Sequence, residues 1–134
     1  MVKIPGDVMQ LLNDKDTVKV LATVNKDGIP NAVPVYSIMC IDEDTIGFAE
    51  IFIKKTKQNL EETKKAAVLG IKGGRAFQLK GTFQGFQNSG PVFDLFAKNI
   101  MGALNLKIKS VGTIKVDEIY SATPGEGIKK VLNH

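Results

Sequence analysis

Two prolines four residues apart constrain the fold of this chain more than any other feature. Pro30 and Pro34 lie in residues 29–36, which otherwise have the pattern of a β-strand. Proline has no N–H to donate to a β-ladder, so two prolines on one face place the strand at a sheet edge or at a local opening. One interpretation is an ordinary edge that is protected against aggregation. The other is a flat ligand bonded to main-chain groups of residues 33–36, with Tyr36 supplying an aromatic wall and a hydroxyl.

Short strands separated by turns account for most of the remaining sequence. Residues 17–24 alternate, with Val18, Val20, Ala22 and Val24 on one face, and residues 25–28 form a turn. Further strands are predicted at residues 29–41, 45–50, 67–71, 76–86 and 107–120, with turns at 42–44 and 72–74. Helices are inserted between strands without regular alternation. The sequence therefore predicts a mainly β fold, an antiparallel barrel decorated by helices.

Three segments have helical patterns. Residues 8–12 carry an apolar stripe on a short opening helix, and a second helix follows the lysine-rich stretch that begins at residue 54. The longest begins near Pro91 and repeats Val92, Phe96, Ile100 and Leu104 at helical spacing. We interpret that stripe as core rather than as a cofactor site.

Composition limits the class of protein. A chain of 134 residues with 43% hydrophobic side chains predicts one globular domain over residues 1–134, with 124–134 as a C-terminal tail. The formal charge is only +4, and Arg75 is the sole arginine, which disfavours specific nucleic-acid recognition. The single cysteine, Cys40, excludes an internal disulfide and predicts a small buried apolar side chain. The absence of a signal or spanning pattern predicts a cytoplasmic protein without a membrane partner.

The lysine-rich stretch is the second unusual feature. Lys54, Lys55 and Lys57 surround Thr56 where a helix is predicted to begin, with Thr56 as its N-cap. A helix N-terminus is already electropositive, so each added cation there costs about 0.3–1 kcal/mol. A phosphate at this end would meet free N–H groups, a hydroxyl and ammonium groups together. The simpler interpretation is a capped helix with solvated lysines.

These segments together resemble the pyridoxamine 5′-phosphate oxidase-like split-barrel flavoproteins, and most of all their small FMN-binding members. The resemblance rests on residues 23–30, which include D-G-I-P, on V-P-V-Y at 33–36, and on K-T with N-L at 55–60. Residues 81–83, 88–93 and 120–122 follow in the order typical of the family. The similarity therefore runs from about residue 5 to residue 124.

The resemblance implies a six-stranded antiparallel split β-barrel that binds FMN near the interface of a homodimer. It implies that Lys55 and Thr56 hold the FMN phosphate, supported by Lys54 and Asn59, whereas Lys57 is solvated. The residues implied to line the flavin ring through their main chain are Val33, Pro34, Val35, Tyr36, Ala49, Glu50 and Ile51. Gln78 and Arg75 are weaker candidates for completing the partner's site. Electrons would pass to or from a redox partner protein, a nicotinamide or a small oxidised substrate.

Departures from the family pattern limit the activity. Pyridoxamine phosphate oxidases proper hold their substrate with several arginines and a histidine, whereas this chain has only Arg75 and the terminal His134. We therefore expect neither that oxidase activity nor a catalytic side chain, and no metal site. His134 is expected to be inert as a haem ligand.

Several alternatives remain compatible with the sequence. One is a barrel of the same fold that binds the deazaflavin F420 or reduces nitro compounds or quinones. Another is a non-enzymatic barrel that binds an anionic ligand or an oligonucleotide at the lysines. Whether the protein turns over a substrate is left undecided.

Overall fold

A computed structural model describes residues 2–51, 53–104, 107–125 and 129–131. Within them the helices are α1 Gly6–Asn13, α2 Lys54–Thr63 and α3 Pro91–Leu104. The strands are β1 Val18–Val24, β2 Pro30–Pro34, β3 Met39–Cys40, β4 Thr45–Ala49, β5 Lys65–Lys72, β6 Arg75–Gln87, β7 Val111–Ser121 and β8 Lys129–Lys130. Apart from β3 and β8, the order of strands and inserted helices is the one that the sequence predicts. In the part of the chain that the structure describes, no helix is long and apolar enough to cross a membrane.

The strands form one curled antiparallel sheet, which is consistent with a split barrel. Seven of them follow the order β2-β1-β5-β6-β7-β4-β3, and β8 pairs with β7 beside that path. The predicted count of six strands is therefore wrong. The predicted strand 29–41 is divided by a turn in which Ile38 N donates to Val35 O at 3.4 Å. The segment predicted as a tail also contributes β8.

Strand β2 occupies one end of this sheet, as its prolines predict. Pro30 and Pro34 lie opposite Val24 and Val20 of β1, and none of the described strands lies on the other side of β2. The other end is β3, which the chain reaches directly after β2. The split between the two sheet ends is thus spanned by residues 35–38.

The more apolar face of β1 is not the face that is buried in the core. Lys19, Leu21 and Thr23 are buried in the interior, whereas Val20 and Ala22, on the face with the regular apolar alternation, are only half-buried. The main core contains Leu21 and most other buried apolar side chains of the sheet, together with those of α1 and Leu60 of α2. The apolar alternation of β1 therefore marks an outer face of the sheet.

Helix α2 begins earlier than predicted. Its N-cap is Ile53, whose side chain is buried, and Thr56 lies within the first turn, so the assignment of Thr56 as N-cap is wrong. The helix ends before Lys64, which has a left-handed φ of 62°, and residues 65–66 belong to β5. Burial of Ile53 sets the register of the helix start.

Helix α3 packs on the sheet through a small second cluster. Phe96 and Ile100 are buried there with Ala49 and Val111, and Val92 is partly buried against them. The interpretation of the α3 stripe as core is therefore confirmed for Val92, Phe96 and Ile100. The side chain of Leu104 lies outside the described set.

Candidate functional site

The start of α2 is a cationic helix end without a capping side chain. Ile53 makes no side-chain capping bond, the first turn contains no acidic residue, and Lys54 and Lys55 are exposed. The first helical hydrogen bond runs from Lys57 N to Ile53 O at 2.7 Å. The N–H groups before it point out of the helix end beside two ammonium groups, which makes this end strongly electropositive.

Thr56 is directed towards β2 and is almost fully buried, with 2% of its surface exposed. Its Oγ1 accepts a hydrogen bond of 3.2 Å from Asn31 Nδ2. Because the hydroxyl is used here only as an acceptor, its own hydrogen remains available to donate. The contact also connects the first turn of α2 to the proline-bearing edge strand.

Asn59 lies one turn further along the inner side of α2 and is 1% exposed. Its Nδ2 donates to Thr23 Oγ1 at 3.1 Å, whereas Oδ1 has no hydrogen-bond partner among the described residues. Turning the amide over would let Thr23 donate to Oδ1 and would leave Nδ2 as the unused atom. Either way a buried polar atom is left unsatisfied, which costs about 1–3 kcal/mol.

Glu50 is a buried carboxylate directly after β4. Its Oε1 accepts from Ser110 Oγ at 2.6 Å, and its Oε2 accepts from Lys57 Nζ at 3.0 Å. Burial opposes ionisation, but these two hydrogen bonds outweigh it and hold the pKa of Glu50 below its usual range. Lys57, expected as a solvated charge, keeps 37% of its side chain exposed and is also ion-paired to Glu50.

The two segments expected along a flavin ring are linked to each other. Ser37 Oγ accepts from Ala49 N at 2.9 Å, and Glu50 N donates to Ser110 O at 2.8 Å. The amides of residues 49 and 50 are therefore already bonded, so these residues offer surface rather than N–H donors. Tyr36, 68% exposed, projects freely beside them.

Lys19 is a residue of this region that the sequence analysis missed. It is 4% exposed, its Nζ donates to Ile38 O at 2.8 Å, and its main-chain O accepts from Val35 N at 2.9 Å. Desolvation lowers the pKa of its ammonium group. Lys19 thus holds both ends of the 35–38 connection, and its position among valines carries no signal that would have singled it out.

The expected site segments are brought to one side of the molecule by these contacts. One hydrogen bond joins β2 to α2, an ion pair joins α2 to the end of β4, and another hydrogen bond joins β4 to the 35–38 connection. A cavity of about 520 Å³ opens beside them. Its lining comprises Glu50, Ile51, Ile53, Lys54, Lys57, Lys107 and Lys109. Lys107 and Lys109 were not among the residues expected at the site.

Lys55 lies on the other flank of α2. It lines a smaller cavity of about 190 Å³ next to the β1–β2 turn, where Lys26 is accompanied by Asp27 and Glu62. Asn59 lines the same cavity. Lys55 and Asn59 are therefore brought together, and Lys54 faces a separate cavity.

The remaining candidates are distributed elsewhere. Arg75 is exposed and pairs with Asp7 at 3.2 Å, away from α2. Gln78 lies on the outer face of β6 opposite Leu69. Cys40 is buried, and burial raises the pKa of its thiol to about 12. His134 lies outside the described residues. No group of three potential metal ligands occurs among the residues that are described.

A family model for pyridoxamine 5′-phosphate oxidase matches residues 5–120 of this chain. The chain therefore belongs to the pyridoxamine 5′-phosphate oxidase family, as its motifs indicate. An uncharacterized protein of Methanocaldococcus jannaschii is 28% identical, with 98% of this chain and 89% of that protein covered.

Solved structures share the fold. HupZ from Group A Streptococcus matches with a TM-score of 0.82 at 24% identity, covering 96% of this chain and 99% of that one. An FMN-binding protein from Syntrophomonas wolfei matches with a TM-score of 0.79 at 21% identity, covering 85% of this chain and 82% of that one.

Solved structures of an F420 reductase and of a haem storage protein also match. An F420 reductase has a TM-score of 0.67 at 16% identity, covering 87% of this chain and 98% of that one. The haem storage protein HutZ from Vibrio cholerae has a TM-score of 0.64 at 11% identity, covering 96% of each chain. At these identities the similarity establishes the fold alone.

Proposed function

We propose that this protein binds FMN at the start of α2 and serves as a small electron-transfer flavoprotein or flavin-dependent oxidoreductase. The observation that carries the proposal is the uncapped, acid-free and cationic start of α2, joined by hydrogen bonds to β2 and to the end of β4. A helix end of this kind is stabilised by a bound anion. The FMN-binding protein with the same fold supports the choice of anion.

The residues present fit the two ends of FMN. Lys54 and Lys55 are exposed cations at the helix end, and the Thr56 hydroxyl has an unused hydrogen. Asn59 lies behind them and lines the same cavity as Lys55, and with its amide turned over, so that Thr23 Oγ1 donates to Oδ1, its Nδ2 would be the donor to the phosphate. We assign the phosphate to this group and the ring to the surface of residues 33–36 and 49–51, with Tyr36 beside it.

The chemistry of the bound flavin is the transfer of one or two electrons, and the chain contributes position and charge. Lysines at the helix end bind and orient the phosphate. Ser37 and Lys19 hold the 35–38 connection in place, and the apolar Ile51 and Ile53 exclude water from one side of the neighbouring cavity. No proton-donating side chain is assigned.

We further propose that the flavin site is shared between two copies of the chain. Cross-strand partners on the outer face of the sheet form a row that runs from the edge strand to β7, comprising Pro34, Val20, Leu69, Gln78 and Tyr120. These side chains are exposed or half-buried. A partner on this face would reach Pro34, within the segment assigned to the flavin ring, and would lie against Gln78.

The phosphate assignment is tested by comparing FMN with riboflavin, which lacks the phosphate. In Lys55→Ala/Thr56→Ala, FMN binding is expected to weaken by about tenfold or more while riboflavin binding changes by less than about twofold, because charge-assisted hydrogen bonds are lost only with FMN. Flavin fluorescence quenching on titration measures both constants.

A matched control is Lys98→Ala, which removes an exposed lysine from α3. It should leave both affinities unchanged. Equal weakening of FMN and riboflavin in the double variant contradicts the phosphate assignment. Wild-type protein that takes up F420 but no FMN would instead support the deazaflavin alternative, and protein that takes up neither would leave the anionic-ligand alternative.

A further inference from the structure

A second cationic cleft adjoins the proposed flavin site. Two cavities of about 520 and 540 Å³ share Glu50, Lys57 and Lys109. The first is also lined by Lys54 and Lys107, and the second by Phe86. We call these two connected cavities the lysine cleft.

The lysine cleft differs in charge from the other cavities. Those lined by Lys55 and Lys26, by Lys72 and Arg75, and by Lys65 and Lys80 each contain two acidic residues to balance their two basic ones. In the lysine cleft, four ammonium groups meet the single carboxylate of Glu50. Ammonium groups crowded without counter-charges repel one another, so an anionic ligand would relieve this repulsion.

The centre of the cleft is fixed. Glu50 is buried and bonded to Ser110, and Lys57 is held between Glu50 at 3.0 Å and the Phe86 ring, whose centroid is 5.1 Å from Nζ. The lowered pKa of Glu50 keeps its carboxylate ionised at neutral pH, so it compensates Lys57.

The other three lysines have no such compensation. Lys54, Lys107 and Lys109 make no ion pair with any residue that the structure describes, although Lys109 is close enough to Glu50 to contribute to lowering its pKa. They lie along one cavity, which is large enough for a group that carries more than one charge.

We propose that the lysine cleft binds the pyrophosphate of a reduced nicotinamide dinucleotide, which would pass a hydride, two electrons with one proton, to the oxidised flavin and leave as the oxidised dinucleotide. This inference rests on the proposed function, because the cleft shares Glu50, Ile51 and Lys54 with the FMN site. A pyrophosphate places two anionic groups a few ångströms apart, which suits lysines from two segments of the chain better than a single phosphate does. Lys107 and Lys109 contact the dinucleotide only, and Lys54 lies between the two ligands.

Calorimetric titration with inorganic pyrophosphate and with NADPH tests the cleft in FMN-free and FMN-loaded protein. Lys107→Gln/Lys109→Gln is expected to weaken both ligands by about tenfold, because two charge-assisted contacts are lost. FMN affinity should stay within about twofold, since these side chains do not contact FMN in the proposed arrangement.

The control Lys15→Gln/Lys98→Gln removes the same charge from exposed positions on α3 and before β1. Equal weakening by both double variants would overturn the cleft as a site, because the effect would be one of overall charge. Loss of FMN together with pyrophosphate would also overturn it, because the cleft would then hold the flavin's own phosphate. FMN-free protein that binds pyrophosphate but never FMN would support the cleft and overturn the flavin proposal alone.

Discussion

Lys19 shows how a single residue can position a site from inside the core. Its main-chain oxygen and its ammonium group bond Val35 and Ile38, the two ends of the connection that spans the open side of the sheet. A buried cation is costly, and its replacement by an apolar side chain of similar volume is often neutral or stabilising. The connection that Lys19 holds borders the proposed ring site. Functional sites are where proteins retain unfavourable features such as a buried charge.

The pH dependence of stability provides a test of Lys19. Its folded-state pKa is lowered, so the folded protein releases this proton first as pH rises, and the contribution of Lys19 to stability increases up to the unfolded value of about 10.4. Buried Cys40, whose pKa is raised, contributes a slope of the opposite sign that is the same in wild type and variant. Lys19→Met should lack this increase between pH 7 and pH 10 and should bind FMN more weakly, because Ile38 O loses its donor. Denaturant unfolding at both pH values and a flavin titration measure the two effects.

Lys72→Met is the matched control for this experiment. The pKa of Lys72 is raised by its hydrogen bond to Asp14, so its contribution is fully present below the unfolded pKa. That variant should therefore keep the wild-type slope between pH 7 and pH 10. A Lys19→Met protein with the same slope as wild type would show that Lys19 does not titrate in this range.

At the scale of elements, β1 and α2 show what the sequence can and cannot predict. The prolines of β2 predict a sheet edge because the missing N–H is a local property, and the structure places β2 there. The alternation in β1 predicts a strand, but it does not determine which face of the strand is buried. The face with Lys19 and Leu21 is buried because the distant helix α1 packs in the same core. Thr56 was wrongly predicted as N-cap because its partner, Asn31, lies 25 residues away.

The lysines at the start of α2 are expected to lower the free energy of unfolding and to strengthen FMN binding. Lys54→Glu places a carboxylate at the first helical position, which should raise the free energy of unfolding by about 0.5 kcal/mol through the helix dipole. The same substitution should weaken FMN by about tenfold, because a cation beside the phosphate becomes an anion. Denaturant unfolding of the FMN-free protein and a flavin titration give the two quantities. Lys98→Glu, in the interior of α3, should change neither by much, and a Lys54→Glu protein that binds FMN as tightly as wild type would contradict the site.

For the whole molecule, the family and the sheet were predictable because they follow from the order of motifs along the chain. The lysine cleft was not predictable from the sequence, because Lys107 and Lys109 are brought to Lys54 and Lys57 only by the pairing of β4 with β7. The outer face likewise emerges only when the strands are in register. Val18 opposite Ile71, Val20 opposite Leu69 and Ala22 opposite Ala67 together make an apolar strip across β1 and β5.

This strip predicts that dimerisation and flavin binding are lost together. Leu69→Glu places a charge in its centre, where it would be buried against a partner without compensation, so the sedimentation mass should fall from about twice 14.5 kDa to that of one chain. FMN should then bind more weakly, because the same face continues to Pro34 of β2. Met101→Glu, at an exposed apolar position on α3, should leave the mass and the affinity unchanged. A wild-type protein that sediments as one chain while fully loaded with FMN would show that one copy suffices for the site.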